Sequence, residues 1–225
     1  MKVLDLFSGT KGWGEPWEQA GHEVIYVDIR ADLNPTMIVD LMKEEPSIIP
    51  WKPDIILASP PCQKFSVSRI GWNWNKDNTP KTKEAQEALD LVYRLRYWID
   101  YLSPKFFVIE NPIGKLRKLD ALIDLELRSV TYCQYGETRM KPTDLWGGFP
   151  PSLVLKPKCP QGGSCHTSAP RGSYTGTQGT AWEIMVKVPK ALSLSVMEAT
   201  EKDLASGLTW KDKETLTPAH LTLGL

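Results

Sequence analysis

The sequence predicts an α/β fold in which a mostly parallel sheet carries helices on both faces. Short β-rich segments alternate with segments of helical spacing, as strands and crossover helices do in parallel sheets. The 225 residues are 41% hydrophobic, which is enough for one substantial core with a small appendage. In open sheets of this kind ligands bind beyond the carboxyl ends of the strands. The polar motifs of this chain lie at those ends.

The predicted strands are short apolar runs, and three of them end in a carboxylate. They cover residues 2–7, 23–28, 36–40, 54–59, 105–110 and 127–133. Helices are predicted over 15–20, 84–102 and 188–204, the second from apolar residues that recur on one helical face. Residues 140–185 are rich in Gly, Pro, Ser and Thr without a clear period, which predicts a small irregular insertion. The predicted organisation is therefore a core of 1–139, the insertion, and a C-terminal helix and tail over 186–225.

Composition limits the class of protein more than the function. We find no apolar run of membrane-spanning length and no signal-peptide pattern, so we expect a soluble, cytoplasmic protein. In that compartment the four cysteines are expected as thiols or metal ligands rather than disulfides. The formal net charge is zero, but residues 64–83 contain five Lys/Arg against one Asp. Such a stretch is either a local nucleic-acid patch or ordinary solvated charge.

A glycine-containing turn after the first strand predicts a cofactor site. Glycines in "DLFSGTKGWG" let a ligand approach the backbone, and the following helix start offers free N–H groups. Asp28 ends the second strand, where an acidic side chain commonly holds ribose hydroxyls, and Asp40 ends the third. A tight structural turn is the alternative. The candidate cofactor-binding residues are Phe7, Ser8, Gly9, Gly12, Asp28, Asp40 and Pro60.

Cys62 follows a buried strand and two prolines in "ASPPCQKFS". A free cysteine is usually a small buried hydrophobe. A nucleophilic cysteine instead needs a rigid position, partial exposure and surroundings that favour the thiolate. The prolines supply rigidity, Lys64 and Arg69 add positive potential, and the strand end places the thiol beside the predicted cofactor.

These motifs resemble the DNA cytosine-5 methyltransferases, and most closely the short, divergent type of phages and prophages. The resemblance rests on "DLFSG", "PPCQKFS", "ENP" and "YGETRMKPT" over residues 1–145, and more weakly on "VPKAL". It implies the Rossmann-like S-adenosylmethionine-dependent methyltransferase fold. It also implies that Cys62 adds to C6 of a flipped cytosine, that Glu110 protonates N3 and that Arg139 holds O2. The expected partner is duplex DNA, bound by a monomer, as in restriction–modification systems.

The chain departs from the family pattern at several positions. Lys11 stands where the family usually has a glycine, and Pro112 follows Glu110-Asn111 in place of a valine. The last motif has Met185-Val186-Lys187 in place of its usual Gly-Asn. The recognition region is also far shorter than usual.

Two other functions remain open from the sequence. "SPPC" resembles the Ser-Pro-Pro-aromatic motif of enzymes that methylate exocyclic amines, although Cys62 cannot stack on a base. A metal-stabilised nucleic-acid-binding module is the second alternative. "CPQGGSCH" brings Cys159, Cys165 and His166 close together, and Cys133 would complete a zinc site of three cysteines and one histidine. Free thiols in a loop are the other explanation of that cluster.

Overall fold

The computed structural model describes residues 1–160, 163–167 and 186–212. A seven-stranded sheet with the order β3-β2-β1-β4-β5-β7-β6 organises them. The strands are β1 (Lys2–Leu6), β2 (Glu23–Asp28), β3 (Met37–Ile38), β4 (Ile55–Ala58), β5 (Phe106–Pro112), β6 (Glu126–Thr131) and β7 (Pro142–Gly148). Strands β1 to β5 pair in parallel, whereas β7 runs antiparallel to both β5 and β6.

Four α-helices accompany the sheet in the described part of the chain. They are α1 (Glu15–Gln19), α2 (Ile70–Asn73), α3 (Lys83–Leu102) and α4 (Lys190–Ala205). Thr82 is the N-cap of helix α3, and its side chain accepts a hydrogen bond from the amide of Ala85. Ser103, in a left-handed conformation, is the C-cap. Across the described residues we find no helix with the length and apolar character that crossing a membrane requires.

The central strands are buried on both faces, which explains their continuous apolar runs. In β1, Leu4 packs into one core with Trp98 of α3, whereas Val3 packs into a second core. That second core contains Trp17 of α1 and Leu192 of α4. The side chains of β1 alternate between the two cores because successive residues of a strand point to opposite faces. The predicted three-layer arrangement is therefore confirmed.

Helix α4 returns the C-terminal part of the chain to the first turn. The Ser193 hydroxyl donates to the carbonyl of Trp13 at 2.6 Å and accepts from the indole Nε1 of Trp17 at 3.0 Å. Both bonds are buried. The predicted return of this helix to the core is thus observed, over Lys190–Ala205 rather than 188–204.

One strand was missed by sequence reasoning and corrects the predicted insertion. Residues 142–148 form β7, which lies between β5 and β6 in the sheet. The predicted start of the insertion at residue 140 is therefore too early, and the irregular stretch begins after Gly148. Residues 149–160 and 163–167 contain no helix or strand. The remainder of the predicted insertion, including Met185, and the tail beyond residue 212 lie outside the described residues.

Candidate active site

Cys62 lies directly after the end of β4, in a loop that is fixed from two sides. The side-chain amide of Asn111, on β5, donates to the carbonyl of Pro60 at 2.8 Å. From the other side the indole of Trp13 donates to the hydroxyl of Ser59 at 3.1 Å. The thiol is half-buried. The loop therefore holds Cys62 in one place at the carboxyl edge of the sheet, as predicted.

Glu110 is buried on β5, and two side chains contact its carboxylate. The phenol of Tyr132 donates to Oε1 at 2.8 Å, and Nζ of Lys141 lies 3.6 Å from the same oxygen. The ammonium of Lys141 also lies 4.5 Å from the centre of the Tyr132 ring. Glu110 is only 4% exposed. The carboxyl group is thus held in a fixed position between a hydrogen-bond donor and a cation.

The pKa of the Cys62 thiol depends on the charges of Glu110 and Lys141. Burial raises the pKa of the Cys62 thiol, the negative charge of Glu110 raises it further, and the cation of Lys141 opposes both. In the absence of substrate the thiol is therefore protonated at neutral pH. Lys141 is the group whose charge favours the thiolate, the form that acts as a nucleophile.

Tyr132 donates its hydrogen bond as a neutral phenol. Burial and the adjacent Glu110 carboxylate raise its pKa well above the usual value. A buried phenol in contact with a carboxylate keeps its proton because a second negative charge there would be unfavourable. Tyr132 consequently orients Glu110 at every pH at which proteins are normally studied.

Sequence reasoning selected Arg139 and missed Lys141 and Tyr132. Arg139 is half-buried in the segment before β7, and its carbonyl accepts the amide of Lys141 at 3.0 Å. The structure brings Lys141, two residues further on, to Glu110. A signal for Lys141 was present, because a cation directly precedes the apolar run of β7 in "RMKPTDLWGG". The sequence gives no comparable signal for Tyr132, which lies in the predicted strand 127–133 with nothing to distinguish it from the other residues there.

The cofactor turn, residues 7–12, is fixed by a hydrogen bond from one of its backbone amides to the carboxylate of Asp28. Asp28 accepts from the amide of Gly9 at 2.9 Å through Oδ2 and from the amide of Arg30 at 2.9 Å through Oδ1. Phe7 and Lys11 adopt left-handed conformations, with φ values of 55° and 61°. Such conformations are unfavourable for non-glycine residues and recur at ligand sites. Lys11 thus adopts a backbone conformation that favours glycine, the residue that the motif usually has there.

Ser8 supplies an observation that points to a ligand. Its hydroxyl oxygen is buried and has no hydrogen-bond partner within the described part of the chain. Buried hydroxyls are normally hydrogen-bonded, so an unpaired one calls for an explanation. A polar ligand bound at the cofactor turn would satisfy it.

Gly12 has a packing role at this turn. A Cβ atom on Gly12 would lie 2.6 Å from the backbone nitrogen of Val188, in the segment that leads into α4. Glycine is therefore needed for the close approach of that segment to the turn. Lys187 next to it forms an ion pair with Glu15 at 3.2 Å. Val188 and Lys187 thus lie against the cofactor turn, the position expected of the last motif.

Asp5 lies fully buried on β1 below the turn. Its carboxyl group accepts a hydrogen bond from the amide of Gly14 at 3.0 Å. Burial raises the pKa of Asp5 to about 8, and the Gly14 amide only partly opposes this. Asp5 is therefore mainly neutral at pH 7.

A cavity of about 370 Å³ opens next to the ends of β3 and β4. Its lining includes two predicted cofactor residues and two carboxylates of α3; the full set is Asp40, Met42, Pro60, Pro61, Glu87, Ala88, Asp90 and Leu91. Asp40 accepts from the amide of Met42 at 3.0 Å and pairs with Lys43 at 3.2 Å. The acidic lining suits a ligand with positive charge.

The predicted metal cluster is assembled in the structure. The ligand atoms of Cys133, Cys159, Cys165 and His166 all lie within 4.8 Å of one another. Cys62 is not part of this cluster. The chain therefore uses its four cysteines at two separate places.

The basic loop after Cys62 presents one exposed aromatic side chain. Trp72 on α2 is 79% exposed. Trp74 is buried against Phe65, with ring centres 5.7 Å apart. The loop is thus anchored at Trp74 and open at Trp72.

Two known proteins are similar to this chain in sequence. A probable DNA (cytosine-5)-methyltransferase of Frog virus 3 is 29% identical over 219 residues, which cover 88% of this chain and 99% of the viral protein. The type II methyltransferase M.DdeI of Desulfomicrobium norvegicum is 32% identical over 131 residues, which cover 52% of this chain and 29% of the bacterial protein.

A solved structure supports the fold. The Entamoeba histolytica methyltransferase EhMeth is 18% identical and aligns with a TM-score of 0.50, covering 70% of this chain and 56% of that chain. At that identity the likeness concerns the fold alone.

The family model for C-5 cytosine-specific DNA methylases matches residues 1–121, a range that contains the cofactor turn, Cys62 and Glu110. The chain belongs to the C-5 cytosine-specific DNA methylase family.

Proposed function

We propose that the protein transfers a methyl group from S-adenosylmethionine to C5 of a cytosine in DNA, through a covalent bond between Cys62 and C6. The observation that carries the proposal is a half-buried thiol at the end of β4 whose pKa responds to the buried pair of Glu110 and Lys141. Family membership supports the base and the position.

The residues of the cofactor turn and cavity suit S-adenosylmethionine. Asp28 would accept the ribose hydroxyls, the unpaired Ser8 hydroxyl would bind a polar group, and Asp40 and Pro60 would contact the adenine. When bound, the cofactor supplies an electrophilic methyl group.

The side chains around Cys62 would make C5 reactive toward that methyl group. The thiol would pass its proton, directly or through a water, to the Glu110 carboxylate, and the thiolate would add to C6, which breaks the C5–C6 double bond. Glu110 would deliver that proton to N3 and so neutralise the charge that the addition places on the ring. After methyl transfer to C5, a water would take the C5 proton, the thiolate would leave C6 and so restore the double bond, and N3 would return its proton to Glu110.

Lys141 and Tyr132 would act on Glu110 and Cys62. Lys141 stabilises the thiolate, and its contact with Glu110 provides a counter-charge once the proton has moved to the base. Tyr132 holds the carboxyl group in position through its 2.8 Å hydrogen bond. Arg139 would bind O2 of the cytosine, as the family motif implies.

Duplex DNA is the proposed substrate, acted on by a monomer. C5 is inaccessible in a stacked base pair, so the cytosine must leave the helix, at a cost of about a few kcal/mol. The basic loop around Trp72 and the segment after Gly148 would contact the DNA on either side of Cys62. This retains the proposed division into a catalytic core, a recognition insertion and a C-terminal helix, with the insertion starting after β7. The proposed place of action is the cytoplasm of a bacterial, archaeal or phage-infected cell.

Zinc is proposed as a structural ion at the Cys–His cluster. Three thiolates and one imidazole form the donor set that structural zinc sites use. The four ligand atoms lie within 4.8 Å of one another, which brings them close enough to share one ion. Because Cys62 and Glu110 are not among them, the ion would take no part in the bond-making steps.

Identification of the product tests the proposed function. The protein is incubated with duplex DNA and S-adenosylmethionine labelled in the methyl group, and the DNA is then hydrolysed to nucleosides. We expect 5-methylcytosine to carry the label, and RNA of the same sequence serves as a second substrate. Labelled N4-methylcytosine or N6-methyladenine would contradict the proposal and favour exocyclic-amine chemistry.

A further inference from the structure

The Cys–His cluster joins two stretches that are distant in sequence. Cys133 lies in the turn Tyr132–Tyr135 after β6, whereas the other three ligands lie in the insertion. Backbone amides of the insertion also donate hydrogen bonds to the other stretch. The amide of Cys159 donates to the hydroxyl of Thr131 at 2.8 Å, and the amide of Thr167 donates to the carbonyl of Thr138 at 2.7 Å.

Side chains add further bonds between the same two stretches. The amide of Lys156 donates to the phenol oxygen of Tyr135 at 2.8 Å, and its ammonium donates to the carbonyl of Gln134 at 2.9 Å. The side-chain amide of Gln134 in turn lies 3.3 Å from Sγ of Cys165. The insertion thus contacts Gln134 and Tyr135 of the turn in addition to Cys133.

The turn and the segment that follows it contain residues of the proposed base pocket. Tyr132, which hydrogen-bonds Glu110, directly precedes Cys133. Arg139 directly follows Thr138, whose carbonyl accepts the amide of Thr167. A displacement of the insertion would therefore act on both sides of the pocket.

We infer that an ion at Cys133, Cys159, Cys165 and His166 clamps the insertion onto this turn, so that metal occupancy controls DNA binding and leaves cofactor binding intact. The inference rests on the proposed function and on zinc as the ion. The described part of the insertion after Gly148 has no helix or strand, so no ladder of backbone hydrogen bonds joins it to the sheet. A metal bonded to both stretches would add a strong constraint to the individual hydrogen bonds between them.

The sheet separates the clamp from the cofactor turn. The clamp follows β6, the edge strand, whereas the cofactor turn follows β1 in the middle of the sheet. Strands β4, β5 and β7 lie between them. This topology explains why we expect metal loss to affect one site and not the other.

The test compares zinc-loaded full-length protein with protein stripped by a chelator. We expect about one zinc per chain before stripping, in line with one tetrahedral site. After stripping, duplex binding should weaken by at least about tenfold, whereas S-adenosylmethionine binding should stay within about twofold. Amide hydrogen exchange over residues 131–138 and 156–160 should accelerate, and added Zn²⁺ should reverse these changes.

Two substitutions at one ligand provide a matched control. His166→Cys keeps four zinc ligands and should retain metal and slow exchange, whereas His166→Ala should lose both. Cys62→Ser, outside the cluster, should retain the metal.

The outcomes separate the clamp from the proposals on which it rests. Equal exchange in loaded and stripped protein would overturn the clamp while leaving zinc in place. Protein that is folded, free of zinc and unable to take it up, or that carries a Cys159–Cys165 disulfide, would overturn the ion and the clamp together. If the loaded protein binds no duplex but exchange still responds to zinc, the clamp stands and the proposed DNA substrate fails.

Discussion

The cofactor side and the base side of the site are built from different interactions. On the cofactor side, carboxyl groups accept hydrogen bonds from backbone amides: Asp28 from Gly9 and Arg30, and Asp5 from Gly14. On the base side, Glu110 is held by two side chains, Tyr132 and Lys141. The first arrangement depends on the path of the chain, and the second depends on the identity of each side chain.

This difference determines how each side should respond to substitution. The amides that bind Asp28 remain in every variant, so a change there alters the shape and affinity of the cofactor turn. On the base side the charges of Glu110 and Lys141 instead shift the pKa of Cys62 in opposite directions. Removing one charge of a buried set leaves the others uncompensated. The base side should therefore be the more sensitive to single changes.

The largest effect is expected for Glu110→Gln. The amide keeps the shape of the carboxyl group but cannot donate its acidic proton to N3, so the rate of methyl transfer should fall by at least about 100-fold. Cofactor affinity should not change, because Glu110 is not part of the cofactor turn. Single-turnover kinetics and calorimetry measure the two quantities, with exposed Glu198→Gln as the control. A turnover rate close to that of the unmodified protein would remove Glu110 from the mechanism.

A smaller effect is expected for Asp28→Ala on the cofactor side. Loss of charge-assisted bonds to the ribose and of the acceptor for the Gly9 amide should weaken S-adenosylmethionine binding by at least roughly tenfold. The turnover rate at saturating cofactor should change less than the affinity. Asp32→Asn, an exposed carboxylate four residues further on, is the matched control for calorimetry. Unchanged affinity in Asp28→Ala would place the ribose elsewhere.

The smallest but most specific effect concerns the ionisation of Cys62. Glu110→Gln removes a negative charge and should lower the pKa of the thiol, whereas Lys141→Gln removes a cation and should raise it. Since the thiolate is the form that reacts, alkylation should reach its half-maximal rate at lower pH in the first variant and at higher pH in the second.

The measurement follows iodoacetamide modification of the Cys62 peptide by mass spectrometry, which separates it from the other three cysteines. Shifts of the pH profile in the same direction in both variants would show that one of the two charges does not reach the thiol. Shifts in opposite directions would confirm that Cys62 lies between them in electrostatic terms.

The same comparison explains what could be predicted from the sequence. The residues of the cofactor side are close together in sequence, because a strand, a glycine-containing turn and a strand-end carboxylate lie within 30 residues. Hydrophobic periodicity and motifs therefore predict them directly. The base side joins β4, β5, the turn after β6 and the residue before β7, so its contacts arise only on folding. Strand β7 was missed because its Pro and Gly residues resemble the irregular stretch that follows. Lys141 was given no role, since its contact with Glu110 arises only on folding.

The Cys–His cluster shows the opposite case of a distant contact that was predicted correctly. Cys133 lies 26 residues before Cys159 in the sequence, yet the rarity of cysteine in the chain was enough to join them. Scarce residue types can thus reveal a contact that periodicity does not. Tyr132, one of seven tyrosines, gave no such signal.

A covalent trap tests the central claim, that Cys62 adds to C6, most directly. Duplex DNA with 5-fluorocytosine at the target position is incubated with the protein and S-adenosylmethionine, because fluorine at C5 cannot leave as a proton does. We expect a protein–DNA adduct that survives a denaturing gel, requires the cofactor and maps to Cys62 by mass spectrometry. Cys62→Ser should form none, since its hydroxyl is barely ionised at neutral pH. A Cys62→Ser variant that forms the adduct, or that methylates cytosine at the rate of the unmodified protein, would contradict the account.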